Sequence, residues 1–403
     1  MYVELAVLAI LTFGYCLISG KVSRLPISGP IIFVVAGFLL GPGGTGWLAD
    51  DVSWGDLRFL VDLTLAVILF SDASNSNFSV LKRQWQLPTR MLLIGLPGAI
   101  ALGFVVAAWL FEALTIIEAA ILGTMLAATD AALGKAVVTN EDVPVRIREG
   151  LKCESGLNDG LCLPFLLLFI TLAHGEDGES PLLLLVKELG IGALTGVLVA
   201  AAGAMLLWRA DVHNWLDGVW LQVAMPALAF ACFAFADMLG GSGYIAAFVG
   251  GMVFGSLLKE DLHELVKPAE GIGEVMAMLT WIIFGIGVVA PSLQLMTFDV
   301  LVYVLLSLTV VRMLPITLSM VGSGERWDST LFMSWFGPRG LASIVFAIMV
   351  LNEQLPGSEL IGTVVTCTVA VSLIVHGMSA NPLSRWIAGR EQASTAEAAD
   401  RPT

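Results

Sequence analysis

Apolar runs long enough to cross a hydrocarbon core recur from one end of this chain to the other. A bilayer core about 30 Å thick takes ~20 apolar residues per helix. Inside it every backbone polar group must be satisfied by the chain itself, so only helices and closed barrels can span. These runs are continuous rather than alternating, which excludes a barrel. Composition agrees: 57% of the 403 residues are hydrophobic and only 13% are charged, against roughly 25% charged in an average soluble chain. Mean hydropathy is +0.87. The chain is read as an all-α polytopic membrane protein. Its first run, Val3 to Leu17, has no basic residue ahead of it and no small-residue cleavage site, so it reads as a spanning helix rather than a leader. The net charge of −14 comes from loops and tail and argues against nucleic acid as a partner. The five cysteines are scattered without a CxxC pair, and the four histidines lack ligand spacing, which points away from disulfides and metal centres.

Hydropathy and helix breakers place about 13 transmembrane helices, at 3–19, 27–41, 57–72, 88–111, 115–135, 150–173, 181–209, 215–238, 243–258, 272–290, 297–320, 329–350 and 360–380. Charge tests the count. Of the 20 basic residues, 16 lie in the odd-numbered loops, at their edges or in the tail, only Arg58 and Lys187 lie toward the even-numbered loops, and Arg312 and Arg339 are deep within helices. By the positive-inside rule the N-terminus is outside and the C-terminus cytoplasmic. Trp47 and Trp54, and Trp208, Trp215 and Trp386, fit interfacial belts. Residues 1–386 form the transmembrane domain, and 387–403 read as a short disordered cytoplasmic tail.

Two helices carry interruptions. The fifth contains Thr129-Asp130 and the twelfth contains Gly337-Pro338-Arg339-Gly340, which breaks or unwinds it. With 181–209 as a linker helix, 1–175 and 215–380 become inverted six-helix repeats. Each interruption is then in the fifth helix of its half. Matched discontinuous helices in inverted repeats point to a transporter's midplane site.

The sixth helix carries GLKCESGLNDGLCLPF at 150–165. Two acids at membrane depth, within six residues, are costly and mark an ion or proton site. Glu154 and Asn158 are four apart, as are Ser155 and Asp159, so each pair shares a face. The two faces are offset by about 100°. Asp159 can act as a hard oxygen ligand for a small cation, with a proton competing for it. Asp130 can neutralise a half-helix end, cap it, or coordinate the ion. Arg339 needs a buried partner; Glu154 is the first choice, and the carbonyls of its own broken helix are the alternative. Arg312 reads as structural, pairing with another buried acid. Asp72 reads either as lining a cytoplasmic access funnel or as a solvated helix end. Asp62, like Asp72, lies in or at the end of the third helix and is a weak signal, and Asp237 and Glu274 read as interfacial.

Together, Thr129-Asp130 in the fifth helix, ESGLNDG at 154–160 in the sixth and FGPRG at 336–340 in the twelfth resemble the monovalent cation–proton antiporter family, in its electroneutral sodium/proton exchanger branch. The likeness runs over nearly the whole chain. It implies secondary active exchange of Na⁺, with K⁺ or Li⁺ as alternatives, for H⁺, one for one. It implies a homodimer in a bacterial-type inner membrane, elevator motion of one bundle against a scaffold, and no cofactor or enzymatic activity. Thr129, Asp130, Ser155 and Asp159 would surround the cation, and Asp159 would hold cation and proton in turn. Glu154, Asn158 and Arg339 resemble the family's structural polar cluster, and Asn158-Asp159 its electroneutral signature. Two departures stand out: Ala131 replaces the usual Pro after Thr-Asp, and LFSDAS at 69–74 replaces a Gly-rich acidic stretch. A Na⁺-coupled symporter or channel on the same fold is the rival reading. An intramembrane aspartyl protease using Asp130 and Asp159 lacks the Gly-Asp or Tyr-Asp context it needs, and HExxH and GxSxG are missing.

Overall fold

The computed structural model describes residues 2–22, 28–47, 54–75, 86–130, 133, 135–138, 140, 142–174, 181–258 and 270–399. These are all helix and connection, with no strand among the described residues. The helices are α1 (Tyr2–Val22), α2 (Gly29–Leu40), α3 (Trp54–Asn75), α4 (Gln86–Leu110), α5 (Ile116–Met125), α6 (Lys135–Val138), α7 (Val145–His174) and α8 (Pro181–Val212). They continue with α9 (Gly218–Met238), α10 (Gly243–Leu257), α11 (Gly271–Gln294), α12 (Phe298–Ser319), α13 (Trp327–Trp335), α14 (Leu341–Asn352) and α15 (Ser358–Ala399). Six of them, among the described residues, are long and apolar enough to cross a membrane by themselves, and α1, α2, α5, α9, α10 and α14 contain shorter apolar stretches.

Both interruptions read from the sequence are present. The fifth helix ends at Met125 and the chain runs non-helically through Thr129 and Asp130 before the short α6. The twelfth is divided into α13 and α14 by residues 336–340. Helix covers most of the stretch 387–403 that composition reads as disordered, because α15 continues to Ala399. Ala131, one of the two departures from the family pattern, lies outside the described residues.

Three helices carry π-helical turns that the sequence reading did not anticipate: Met91–Gly95 in α4, Gly285–Val289 in α11 and Ser307–Val311 in α12. Each precedes a proline. Pro97, Pro291 and Pro315 lack the N–H that would bond the carbonyl four residues back, at Leu93, Gly287 and Val311. Each of those carbonyls falls inside a π-turn, which absorbs the mismatch by one looser turn.

Contacts sort the helices into two groups. In one, α10 packs against α3, α8 and α9, while α11 packs on α2 and α3. In the other, α4, α5, α7 and α12 to α15 pack together. The groups meet where α7 faces α8, α3 and α10, where α14 faces α3 and α11, and where α15 faces α11. Lipid gives helices no hydrophobic drive to associate, so close backbone approach at small residues does the work. On α10 this is tight: a Cβ at Gly251 would sit 2.3 Å from the Phe70 carbonyl oxygen of α3, and one at Gly196 of α8 would sit 2.4 Å from the Ala246 carbonyl oxygen of α10. Neither backbone can yield without separating two helices. Gly251→Val is therefore expected to destabilise the detergent-solubilised protein by about 1–3 kcal/mol, read as a lower melting temperature. Gly190→Ala, whose methyl meets nothing within 4 Å, should not lower it.

Candidate ion site at the crossing of two broken helices

The two interruptions cross and complete each other. The Asp130 amide donates to the Pro338 carbonyl at 2.8 Å. Its Oδ2 accepts the Leu341 amide at 2.8 Å, the first N–H of α14, and its Oδ1 accepts the Leu133 amide at 3.3 Å. In return, the Ser343 hydroxyl of α14 donates to the Met125 carbonyl at the end of α5 at 2.9 Å. A carboxylate at a helix N-terminus satisfies free amides and the positive end of the dipole together. Gly340 is obligatory at this point, because a Cβ there would lie 1.9 Å from Asp130 Oδ2.

The sixth-helix motif lies on α7 against this crossing. Ser155 Oγ donates to the Thr129 carbonyl at 2.8 Å. Asn158 Nδ2 donates to Thr129 Oγ1 and to Glu154 Oε1, the latter at 3.2 Å. Asp159 is buried (6% exposed), and its Oδ1 accepts no hydrogen bond. Asp130, Asp72 and Glu154, all acidic, act on it electrostatically, and it sits beside the Thr129 backbone. The structure thus brings Thr129, Asp130, Ser155 and Asp159 to one place. Their oxygens make a hard, all-oxygen donor set suited to an alkali cation. Asp72, half-buried on α3, approaches this group from the opposite bundle.

The partner of Glu154 differs from the sequence expectation. Glu154 is paired with Arg312, not Arg339: Nη1 and Nη2 of Arg312 donate to its two carboxylate oxygens at 2.7 and 3.1 Å. Both side chains are buried, so this bidentate pair is made in a low-dielectric interior. Two local features direct Arg312 inward. The π-turn 307–311 immediately precedes it, and Gly337 leaves room for it, since a Cβ there would lie 2.2 Å from Arg312 Nε. Arg339 takes the alternative: its Nη1 donates to the Gly337 carbonyl at 2.6 Å, within its own broken segment.

Three further residues support the crossing and were missed in the sequence. The Arg339 amide donates to Ser372 Oγ at 2.7 Å, and Ser372 lies 3.2 Å from His376 Nδ1 on α15. His376 Nε2 lies 3.1 Å from the Trp335 carbonyl at the end of α13, so α15 holds both sides of the break. Glu118, also buried, caps α5 with Thr115 and accepts the Gly357 amide at 2.6 Å just ahead of α15. Thr115-Ile-Ile-Glu118 is a capping-box pattern and was the available signal. Nothing in the sequence marked Ser372 and His376 beyond their spacing of four.

These features define a polytopic helical membrane protein with an all-oxygen polar cluster where two interrupted helices cross. The sequence model described as sodium/hydrogen exchanger, transmembrane, matches residues 7–386, and the chain belongs to that family. It is 26% identical over 388 residues to the K⁺/H⁺ antiporter NhaP2 of Shewanella oneidensis, covering 94% of this chain and 66% of that one. It is 24% identical to the Na⁺/H⁺ antiporter 2 of Zygosaccharomyces rouxii, over 88% of this chain and 49% of the yeast protein. The chain thus spans less than two thirds of these relatives' length. Its fold matches the structure of the sodium proton antiporter MjNhaP1 from Methanocaldococcus jannaschii at pH 8, with a TM-score of 0.77 at 20% identity over 96% of this chain.

Arg312→Met strands a buried carboxylate and is expected to cost roughly 3–5 kcal/mol of stability. Adding Glu154→Gln should recover most of that loss. Thermal denaturation of the three proteins in detergent reads both effects, and equal melting temperatures for wild type and Arg312→Met would contradict the pairing.

Proposed function

We propose that this protein exchanges a monovalent cation for protons across the membrane, one for one, with Asp159 holding cation and proton in turn. The observation that carries the reading is the state of Asp159. It is buried at the crossing under the influence of the acids Asp130, Asp72 and Glu154, it makes no ion pair among the described residues, and it has a free carboxylate oxygen. An isolated carboxylate there is costly unless it binds a proton or a cation. Competition between the two for one group couples their fluxes.

Stoichiometry follows from the neighbours. Glu154 is neutralised by Arg312. Asn158 is a neutral amide that donates to Thr129 and Glu154 and offers no exchangeable acid proton. Asp130 is engaged by two backbone amides. Asp72 lies on α3 in the opposite group, so one exchangeable carboxylate remains within the crossing bundle itself, and with it electroneutral exchange. Na⁺ is the transported cation in this reading, with K⁺ and Li⁺ as alternatives; relatives named for K⁺ and for Na⁺ both match the chain.

The moving parts follow from the two packed groups. The bundle carrying the crossing, α4 to α7 with α12 to α15, slides elevator-fashion against α2, α3 and α8 to α11. In this reading two inverted six-helix halves flank a linker helix, with α5–α6 matching α13–α14. The π-turns add a second correspondence, because α4 and α12 are the fourth helix of their respective halves. The protein is taken to be a homodimer in a bacterial-type inner membrane, N-terminus outside and C-terminus cytoplasmic.

In proteoliposomes with an internal pH dye, Na⁺, Li⁺ or K⁺ gradients should drive proton movement that is insensitive to membrane potential. Asp159→Asn should reduce it by at least about a hundredfold, the scale expected when an essential ionisable group is removed. Wild-type exchange by Asp159→Asn overturns the reading, and cation-driven solute uptake without proton release would favour a symporter.

A further inference from the structure

Residue 160 follows Asp159 directly, and on a helix it lies about 100° around and 1.5 Å along from it. It is glycine, buried, and it faces α10 of the opposite bundle. A Cβ at Gly160 would lie 2.3, 2.4 and 2.4 Å from Cδ2, Cε2 and Cγ of Phe248. The ring therefore lies on the bare backbone of α7 beside Asp159. Relief by a small rotation is closed off, because Cγ at the root of the ring is as near as its edge, and Phe248 is 5% exposed. Nor can α10 retreat. It is held by backbone-to-backbone approaches at Gly251 and Gly255 on α3 and from Gly192 and Gly196 of α8.

From this contact we infer that Phe248 is the fixed plate of the sliding surface beside the ion site, and Gly160 the clearance that lets α7 move past it. The inference rests on the antiport reading and assigns a positioning role to two residues that touch neither the cation nor the proton. A helix flank that slides over a ring must present no side chain to catch on it. The same ring keeps water from running along α7 between the two faces of the membrane. An apolar constriction of this kind can bar ions by excluding water.

The test is exchange in proteoliposomes by wild type, Gly160→Ala, Phe248→Ala and the double variant, with thermal stabilisation by Li⁺ or Na⁺ measured on each. Gly160→Ala is expected to lower the maximal rate about tenfold, equivalent to about 1.4 kcal/mol in the barrier, while leaving half-saturation by the cation within about twofold. Phe248→Ala in the Gly160→Ala background should restore most of the rate. Phe248→Ala alone, which leaves α7 intact, should raise cation-independent proton leak. Wild-type rate in Gly160→Ala overturns the inference. So does a double variant that binds cation yet remains as slow as Gly160→Ala, and so does a tight Phe248→Ala. Loss of cation-dependent stabilisation in Gly160→Ala would place that residue in the binding site instead and also overturns it. Absence of exchange in wild type would fail the antiport reading itself, and is seen before any variant is compared.

Discussion

A main chain that leaves the helix in the middle of a membrane protein frees amides and carbonyls where no water can take them up, and here two such departures satisfy one another. Each unmet group would cost several kcal/mol. The Asp130 amide meets the Pro338 carbonyl, the Asp130 carboxylate meets the first amide of α14, and Ser343 of α14 meets the last carbonyl of α5. Neither break is stable without the other. The crossing is therefore one object built from residues more than 200 positions apart. Its outer supports, Glu118 toward Gly357 and the Arg339–Ser372–His376 chain, bind it to α15.

Charge at the crossing is settled by elimination. Five ionisable side chains of the crossing bundle meet in or beside it, Asp130, Glu154, Asp159, Arg312 and Arg339, and Asp72 approaches from α3 of the other group. Arg312 neutralises Glu154, Arg339 turns to its own carbonyl, and Asp130 caps helix ends. Asp159 is left with a free oxygen and acids around it. A carboxylate so placed favours any small positive partner, and a proton and an alkali cation are the two that fit. The mechanism proposed above depends on this leftover group, and on a bundle interface smooth enough to carry it.

Much of this was legible in the sequence because membranes make polar residues conspicuous. Thr129, Asp130, Glu154, Ser155, Asn158 and Asp159 stand out against apolar flanks, and Gly337-Pro338 announces a break by its chemistry alone. The Arg assignment failed for a physical reason. Arg339 lies inside the motif, so it was the natural partner for Glu154. Yet direction in a helix depends on local winding, and the π-turn ahead of Arg312 turns that side chain inward. Pro315, three residues on, held the clue. Ser372 and His376 were silent because one serine and one histidine in an apolar helix carry no pattern. The Gly160–Phe248 contact was likewise unreadable, since it joins segments 88 residues apart through the absence of a side chain.

The central claim is that cation and proton displace each other from one carboxylate. Calorimetric titration of the detergent-solubilised protein with Na⁺, Li⁺ or K⁺, in buffers of different ionisation enthalpy, measures protons released per cation bound. The account predicts about one, as expected when a cation displaces the proton from its ligand, with less release at alkaline pH, where the carboxylate is already ionised. Saturable cation binding with no proton release at any pH would contradict it.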